Sequence, residues 1–389
     1  MRAAGGTPSA AGPGRPRVSR LVYLDHQATT PLDPRVFEAM RPWLDGHRFG
    51  NPHSANHRAG WQAAEAIERA RAEVAALIGA LPGEVLFTSG ATEANNLALL
   101  GASREGREVI VSAIEHPSVL DCLPALETRG RQTRTVPVDQ DGLLRLDQLE
   151  PLAAGDLVSV MAANNEAGTI QPLAEMAALC RSGGALLHTD AVQLLSTVPL
   201  DVRALGVDLL SLSGHKLYGP MGIGALFVRD GVRLEPQMFG GGQQAGRRPG
   251  TLPVALCVGL GEACRVARQQ REQDAARLQA LLERLLAGLK AEVPDVRRNG
   301  SAEHGVAGCL NVTLPGIDAE DLLLDLPELA LSTGSACSTG KGGPSHVLLA
   351  MGRTPGEAHA SIRFGLGRGT SEEEIDLAVR LIAERLRRA

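Results

Sequence analysis

The sequence predicts an α/β protein with a large domain built on a mostly parallel seven-stranded sheet and a smaller α+β domain. Between residues 85 and 228, short apolar runs alternate with segments that are mostly long enough for crossover helices. Such alternation is typical of a parallel sheet covered by helices on both faces. The alternation stops after Leu252, and the chain of 389 residues, 44% of them hydrophobic, is long enough for two domains.

The first 19 residues are predicted to be disordered. They contain no acidic side chain and almost no apolar periodicity. A transit peptide is the alternative, but Pro8, Pro13 and Pro16 would break the amphipathic helix that such peptides form. Order is expected to begin with a short strand at 21–25, which leads through a turn at 28–31 into the first helix.

A long helix is predicted at 58–78, and the strands of the large sheet follow it. Apolar residues lie on or near one face of this helix, and Gly79 ends it. Ligands of parallel sheets bind at the carboxyl ends of the strands, so polar residues that follow strands are the first candidates for a site. The predicted strands are 85–88, 109–113, 134–138, 157–162, 186–189, 209–212 and 225–228.

Beyond Leu252 a long helical region runs to about Val293. Its leucines at positions 278, 281, 282, 285 and 289 recur at helical spacing, which is more typical of a core than of a partner site. Strands at 310–314, 329–333 and 361–366 are mixed with helices at 319–326 and 371–388. We therefore predict a large domain at 33–264 and a small domain formed by 20–32 and 265–389.

Charge and cysteine content argue against several classes of protein. The formal net charge is -5 at pH 7, so the chain has no basic footprint for direct nucleic-acid binding. No apolar run reaches the roughly 18 residues of a membrane span. The six cysteines are scattered without CxxC pairs, which argues against a disulfide framework or a zinc site and favours a reducing, cytoplasmic location.

The stretch at 209–220 holds the first catalytic candidate, Lys216. This lysine follows a predicted strand and small polar residues, stands between His215 and Tyr218, and is flanked by glycines at 214, 219, 222 and 224. Small residues let a bulky ligand approach the backbone, and burial near other cations favours the neutral amine that Schiff-base chemistry needs. A surface lysine in a glycine-rich turn is the alternative.

Two other strand ends carry residues suited to a phosphorylated pyridine ring. Residues 88–96 lead from a strand into a helix through small side chains, so free N–H groups and the helix dipole would favour a phosphate. Asp190 can pair with a protonated pyridine nitrogen, and Gln193 can hydrogen-bond the phenolic oxygen of the ring. The alternatives are a capped strand-helix turn at 88–96 and a turn or cap role for Asp190.

Loop residues supply candidates for contacts with a ring or a substrate. His116 follows a strand and could stack on a cofactor ring and move protons, although a lone loop histidine is usually a surface residue. Asn164 and Asn165 lie at another strand end and could hydrogen-bond a ring oxygen or a substrate carboxylate, or could form a turn.

Two candidates lie in the predicted small domain. Cys337 sits in a small, polar, glycine-rich loop that we expect to be exposed and mobile, where Lys341 or a nearby histidine could raise the thiolate fraction. An incidental loop cysteine is the alternative. Arg363 lies within a short predicted strand, and its guanidinium can grip a carboxylate through two parallel hydrogen bonds or can form a structural ion pair.

Taken together, these residues resemble the cysteine desulfurases of the NifS/IscS type. The resemblance extends from about Leu21 to Arg385. The residues that carry it are 23–25 with 28–31, 49–52, 88–96, 115–117, 164–166, 190–193, 211–220, 250–253, 334–337 and 361–364.

The resemblance implies the type I fold of enzymes that use pyridoxal 5'-phosphate (PLP). It implies that Lys216 binds PLP covalently, that Asp190 pairs with the pyridine nitrogen, and that Gln193 and Asn165 bond the region of the ring oxygen. The residues that it assigns to the phosphate are Ala91, Thr92, Ser213 and His215, with Thr251 contributed by the second subunit of a homodimer.

The resemblance also implies roles in catalysis. His116 would stack on the ring and handle protons, and Arg363 with Asn165 would hold the substrate carboxylate. Lys216 would remove the Cα proton of L-cysteine, and Cys337 would take the sulfur as a persulfide, so that alanine leaves. The loop after Cys337 resembles the subgroup in which this loop is mobile.

The sulfur acceptor stays open at this point. The resemblance implies an acceptor protein, either an iron-sulfur scaffold or a tRNA-thiolating enzyme. A selenocysteine lyase or another class V lyase would share these residues except for dependence on Cys337. A non-catalytic assembly partner is a further alternative, but the presence of Lys216, Asp190 and His116 argues against it. An NAD-binding module is disfavoured because no GxGxxG follows the first strand.

Overall fold

The computed structural model of the protein describes residues 21–293, 295–333 and 343–388. Its strands are β1 (Val22–Tyr23), β2 (Val85–Thr88), β3 (Glu108–Ser112), β4 (Gln132–Val136), β5 (Leu157–Ser159), β6 (Leu186–Asp190), β7 (Leu209–Ser213), β8 (Gly224–Val228), β9 (Arg297–Asn299), β10 (Cys309–Thr313), β11 (Leu329–Ala330) and β12 (Ser361–Gly365). Its helices are α1 (Pro34–Met40), α2 (Arg58–Ile78), α3 (Ala91–Ala102), α4 (Pro117–Leu120), α5 (Leu123–Thr128), α6 (Leu173–Gly183), α7 (Val202–Leu205), α8 (Val254–Glu292), α9 (Ala319–Asp325), α10 (His346–Ala350), α11 (Pro355–His359) and α12 (Glu372–Leu386).

The large sheet has seven strands in the order β2-β8-β7-β6-β5-β3-β4. Four of its strand pairs are parallel, and β8 runs antiparallel to both β7 and β2. Strand β8 is antiparallel because the chain between β7 and β8 is too short for a crossover helix and must return in the opposite direction. The prediction of a mostly parallel seven-stranded sheet is confirmed.

Some strand ends differ from their predicted positions. β4 is an edge strand that begins earlier, at the exposed Gln132, so apolarity does not mark its start. β5 ends earlier than predicted, at Ser159, although the N–H groups of Val160 and Ala162 still donate to carbonyls of the β6 strand at 3.1 and 2.8 Å. Polarity patterns locate strands well but not their last residues.

Apolar side chains cover both faces of the large sheet. Phe87, Ile110 and Leu210 belong to the core that also contains residues of α2, α6 and the first half of α8. Their neighbours Leu86 and Val109 point into a second core with α3 and α5. This alternation is the period of two expected for strands that are buried on both faces.

The long helix α8 connects the two parts of the chain. Its first half packs into the core of the large sheet, and its second half packs into a separate core. The leucine stripe at 278–289 is buried there, which confirms that it is core. The predicted boundary between residues 264 and 265 falls inside this helix, and it stays a prediction.

The second core belongs to a small α+β unit. β12, β10 and β9 form an antiparallel sheet in which Arg363 lies opposite Asn311, while β1 pairs with β11 in parallel. The predicted strand at 329–333 is shortened to β11, after which Ser332 forms a single bridge to Arg363. The predicted disorder of residues 1–19 lies outside the described residues. Among the described helices, none combines the length and apolarity that crossing a membrane requires.

Candidate active site

A cavity of about 490 Å³ opens at the carboxyl ends of the large sheet's parallel strands. Segments that follow β2, β3, β6 and β7 supply its walls, as expected for a ligand site in a parallel sheet. The predicted site residues that line it are Ala91, Thr92, His116, Asn165, Asp190, Gln193, Ser213, His215 and Lys216. Thr251 and Arg363 are not among the lining residues, and Cys337 lies outside the described residues.

Lys216 is held against the backbone of the first loop. It lies at the end of a short turn, Gly214–Lys216, that follows β7 directly. Its Nζ donates to the carbonyl of Ala28 at 2.8 Å and to that of Gln27. A Cβ at Gly214 would come within 2.8 Å of the carbonyl oxygen of Pro220, so this tight turn requires glycine. The amine therefore has a defined position in the cavity wall.

The turn also contains a residue in an uncommon backbone conformation. Tyr218 has a φ of 60° and is nevertheless buried. Its N–H donates to Thr30 Oγ1 at 2.9 Å and its carbonyl accepts from Asp33 at 3.0 Å. Non-glycine residues with positive φ persist where surrounding contacts determine them, and they cluster at functional sites.

The amino end of α3 faces the same cavity. Gly90 precedes the helix with a φ of 154°, and a Cβ there would meet no other atom within 4 Å. Glu93 in the first turn is paired with Arg248 at 2.7 and 3.1 Å, so its charge is offset where an anion would bind. With the helix dipole and its free N–H groups, this end can hold an anionic group such as a phosphate.

His215 lies beside this anion position as a neutral imidazole. Its Nδ1 is 3.1 Å from the hydroxyl of Thr29. Burial, helped by the neighbouring Lys216, lowers the pKa of His215 to about 4. At neutral pH His215 can therefore donate or accept hydrogen bonds but carries no charge.

Asp190, the last residue of β6, and Gln193, which follows this strand, lie on another side of the cavity. The Asp190 carboxylate is 6% exposed and accepts from the N–H of Val192 at 3.0 Å and from Asn95 Nδ2 at 2.7 Å. Each of its oxygens has one of these donors and can accept a further one. Gln193 Nε2 donates to the carbonyl of Gln27 at 3.0 Å, which links it to the loop that contacts Lys216.

His116 begins helix α4 and is partly buried. Its Nδ1 accepts from the backbone N–H of Ser118 at 3.1 Å and lies 2.8 Å from the Ser118 hydroxyl. Because Nδ1 accepts, the neutral ring carries its proton on Nε2. Burial is the main cause that lowers the pKa of His116 below its ordinary value, and Lys216 adds to it.

Arg363 does not line this cavity, and its side chain is only 1% exposed. One terminal nitrogen donates to the carbonyl of Asn165 at 3.0 Å, and the other donates to Asp25 at 2.6 Å. Its Nε is buried without a hydrogen-bond partner. The guanidinium therefore joins strand β12 of the small unit to Asn165 of the cavity, and its Nε–H group has no hydrogen-bond partner among the described residues.

Two buried carboxyl groups near the site were not among the predicted residues. Glu166 accepts from the Ser345 hydroxyl at 2.5 Å, and burial raises the pKa of Glu166 to about 7. Glu115 accepts from the N–H of Met161 at 2.7 Å, and its burial also raises its pKa. Both adjoin predicted site residues in the sequence, but polarity alone gives no sign that they are buried.

Gln27, Ala28 and Asn95 were also missed, although each contacts a predicted residue. The carbonyl oxygens of Gln27 and Ala28 accept from Lys216, and Asn95 donates to Asp190. Asn95 lies inside the predicted segment 88–96. A polar side chain in a helix that begins at the site could have identified it as a site residue. The two carbonyl contacts join residues that are far apart in the sequence. Since every residue has a backbone carbonyl, the types of these residues do not reveal the contacts.

Comparison with known proteins places the chain in a family. The profile of the class-V aminotransferase family matches residues 22–378. A cysteine desulfurase of Pongo abelii is 47% identical over 98% of this chain and 85% of the relative. The cysteine desulfurase IscS of Photorhabdus laumondii is 47% identical over 93% of this chain and 91% of the relative.

A solved structure of a NifS-like protein has the same fold. It superposes with a TM-score of 0.88, is 35% identical in sequence, and covers 95% of this chain and 100% of its own. The sequence matches and this structural match agree over nearly the full length. The chain belongs to the class-V aminotransferase family and, within it, to the cysteine desulfurases of the NifS/IscS type.

Proposed function

We propose that the protein releases sulfur from L-cysteine as a persulfide on Cys337, leaves L-alanine, and passes the sulfur to an acceptor protein. The observation that carries this proposal is the meeting of Lys216, Asp190 and the amino end of α3 in one cavity. An amine, a buried carboxylate and an anion-binding helix end are the three groups that PLP chemistry requires. The family supports the same activity.

The residues present fit PLP. The α3 end supplies N–H donors for a phosphate near Ala91 and Thr92, with Ser213 and neutral His215 on the same cavity wall. Asp190 can accept one more donor, which suits a protonated pyridine nitrogen, and Gln193 and Asn165 present amides to the same space. When bound, PLP would supply an aldehyde for amines and an electron sink for the carbanion formed at the substrate Cα.

Lys216 and His116 are the groups proposed to move protons. Lys216 Nζ would exchange places with the amino group of L-cysteine and then take the Cα proton of the substrate. His116, neutral and with its proton on Nε2, can stack on the ring and donate a hydrogen bond. Asn165, which lines the cavity, would hold the substrate carboxylate together with Arg363, whose guanidinium donates to the Asn165 carbonyl.

Sulfur transfer needs no further reactant. The Cys337 thiolate would attack the sulfur of the substrate, so that an S–S bond forms while the C–S bond breaks. The electron pair of that bond stays with the alanine fragment, which takes up a proton and leaves as L-alanine. The persulfide on Cys337 then carries one sulfur atom to the acceptor.

The proposed partners follow from the family and from exposed residues. Thr251 is exposed and Phe239 is 87% exposed, so both are accessible to a second subunit in the proposed homodimer, in which Thr251 would reach the phosphate of that subunit. Iron-sulfur scaffolds and tRNA-thiolating enzymes are the proposed acceptors. A cytoplasmic location is supported by the described cysteines, which are all free and buried.

Mass spectrometry of the protein after exposure to L-cysteine tests this proposal. Without a thiol reductant, the peptide that contains Cys337 should gain the mass of one sulfur atom. Cys337→Ser should gain none while it keeps the absorbance of bound PLP, and dithiothreitol should remove the added mass from the wild type. Sulfur found on another cysteine, or on none while alanine accumulates, would overturn the assignment and favour a lyase.

A further inference from the structure

A buried chain of hydrogen bonds connects Asp190 with His116. Asn95 is fully buried and donates through Nδ2 to Asp190 Oδ2 at 2.7 Å and to the Ser118 hydroxyl oxygen at 2.9 Å. The Ser118 hydroxyl is in turn 2.8 Å from Nδ1 of His116. The side chains of Asp190 on β6, Asn95 on α3 and Ser118 on α4 thus form a continuous series of hydrogen bonds that ends at the imidazole.

The acceptor-only character of an ionised carboxylate fixes the direction of this chain. Since Asp190 can only accept, Asn95 must turn its NH₂ group toward it, and the second N–H of that group reaches Ser118. The Ser118 oxygen is then an acceptor from Asn95, so its own proton is free to point at His116 Nδ1. Asn95 Oδ1, on the opposite side of the amide, is buried without a partner, so no competing bond favours the flipped amide.

This arrangement disfavours a charged imidazole. A proton on Nδ1 would face the N–H of Ser118, and the Ser118 hydroxyl would have to turn away while Asn95 still donates to it. The other charged or titratable groups around His116 oppose one another, because Asp190 and Asp121 favour the charged ring whereas Lys216 and His346 disfavour it. Directed hydrogen bonds add to burial in keeping the ring neutral.

We propose that Asn95 and Ser118 are positioning residues that transmit the ionised state of Asp190 to His116 and hold its imidazole neutral, with the proton on Nε2. This inference rests on the proposed function, in which Asp190 serves the cofactor ring and His116 the protons. It means that the states of Asp190 and His116 are coupled, so that a negative Asp190 is accompanied by an uncharged His116 that can donate one hydrogen bond through Nε2.

Nuclear magnetic resonance of the full-length protein labelled with ¹⁵N-histidine tests the proposal. His116 is identified among the ten histidines by its loss in His116→Gln. The wild type should show the Nε2–H form throughout the titration range of an ordinary histidine. Asn95→Leu leaves His116 and Ser118 in place but frees the hydroxyl to accept from Nδ1, so it should raise the pKa of His116 by about one unit.

Three comparisons separate this link from a general disturbance. In the S118A background, Asn95→Leu should add no further shift, because the hydroxyl is its connection to the ring. Asn96→Leu is the matched control, since Asn96 donates to the carbonyl of Ser118 at 3.1 Å and not to its hydroxyl, and it should leave the titration unchanged. Ser118→Thr keeps the hydroxyl and should titrate like the wild type.

The proposal fails if Asn95→Leu leaves the His116 titration unchanged, if the same shift persists in the S118A background, or if Asn96→Leu gives an equal shift. Asn95→Ala, which adds no bulk to the core, repeats the test should Asn95→Leu not fold, with the same expected shift. The imidazole is observed directly, so a protein that follows these predictions but does not release alanine would contradict the proposed function and not this link.

Discussion

Replacement of Lys216 by alanine is expected to lower the rate of alanine formation from L-cysteine by roughly 10³-fold or more. Lys216 is the lysine that lines the cavity, and its Nζ is fixed by the carbonyl oxygens of Gln27 and Ala28. Without it, the proposed covalent attachment of PLP and the proposed base for the Cα proton would both be lost. The absorbance spectrum should also change, because the protein would no longer bind PLP through an imine.

Lys290→Ala is the matched control for this prediction. Lys290 lies on the exposed side of α8, away from the cavity, so its removal should change neither spectrum nor rate. A small primary amine added to Lys216→Ala should restore part of the activity, since it can replace the missing base. Full activity in Lys216→Ala, or an equal loss in Lys290→Ala, would contradict the role of Lys216.

Replacement of Arg363 by alanine is expected to impair both stability and substrate use. Breaking this ion pair from one side costs up to about 3 kcal/mol, because Asp25, whose side chain is 18% exposed, would be left without its partner. We also expect kcat/KM for L-cysteine to fall about 10²-fold, since the proposed carboxylate contact is lost. Urea unfolding and steady-state kinetics measure the two effects separately.

Two further variants show whether Arg363 contacts the substrate or only forms a structural ion pair. Arg363→Lys keeps the positive charge but not the forked geometry, so it should recover part of the stability and little of kcat/KM. Arg284→Ala removes an arginine from exposed pairs with Asp376 and Glu372, so it should lower stability by less than about 1 kcal/mol and leave kcat/KM unchanged. If Arg363→Ala lost stability but kept its kcat/KM, Arg363 would be a structural ion pair and not a substrate contact.

The large sheet could be predicted from the sequence because its signal is local. Most of its strands are short apolar runs, and the segments between most of them have helical length. The reversal at β8 also has a local cause, the short connection from β7, but the apolar run alone does not reveal it. The exposed start of the edge strand β4 has no apolar signal at all.

Part of the candidate site could likewise be predicted from the sequence, and part of it could not. Asp190 ends strand β6 and His116 lies shortly after β3, so the topology of a parallel sheet brings them to one edge. The pairing of Arg363 with Asp25 joins residues 338 positions apart and depends on how the small unit packs, which residue types do not encode. The same holds for the link through Asn95 and Ser118, where the partners lie on separate elements.

The most direct test of the account is the amount of alanine formed from L-cysteine by the purified protein with PLP and a thiol reductant. We predict steady release of alanine by the wild type, and its loss in both Lys216→Ala and Cys337→Ser. Wild-type protein that binds PLP but forms no alanine would contradict the central claim. Alanine formed at an undiminished rate by Cys337→Ser would contradict the persulfide route.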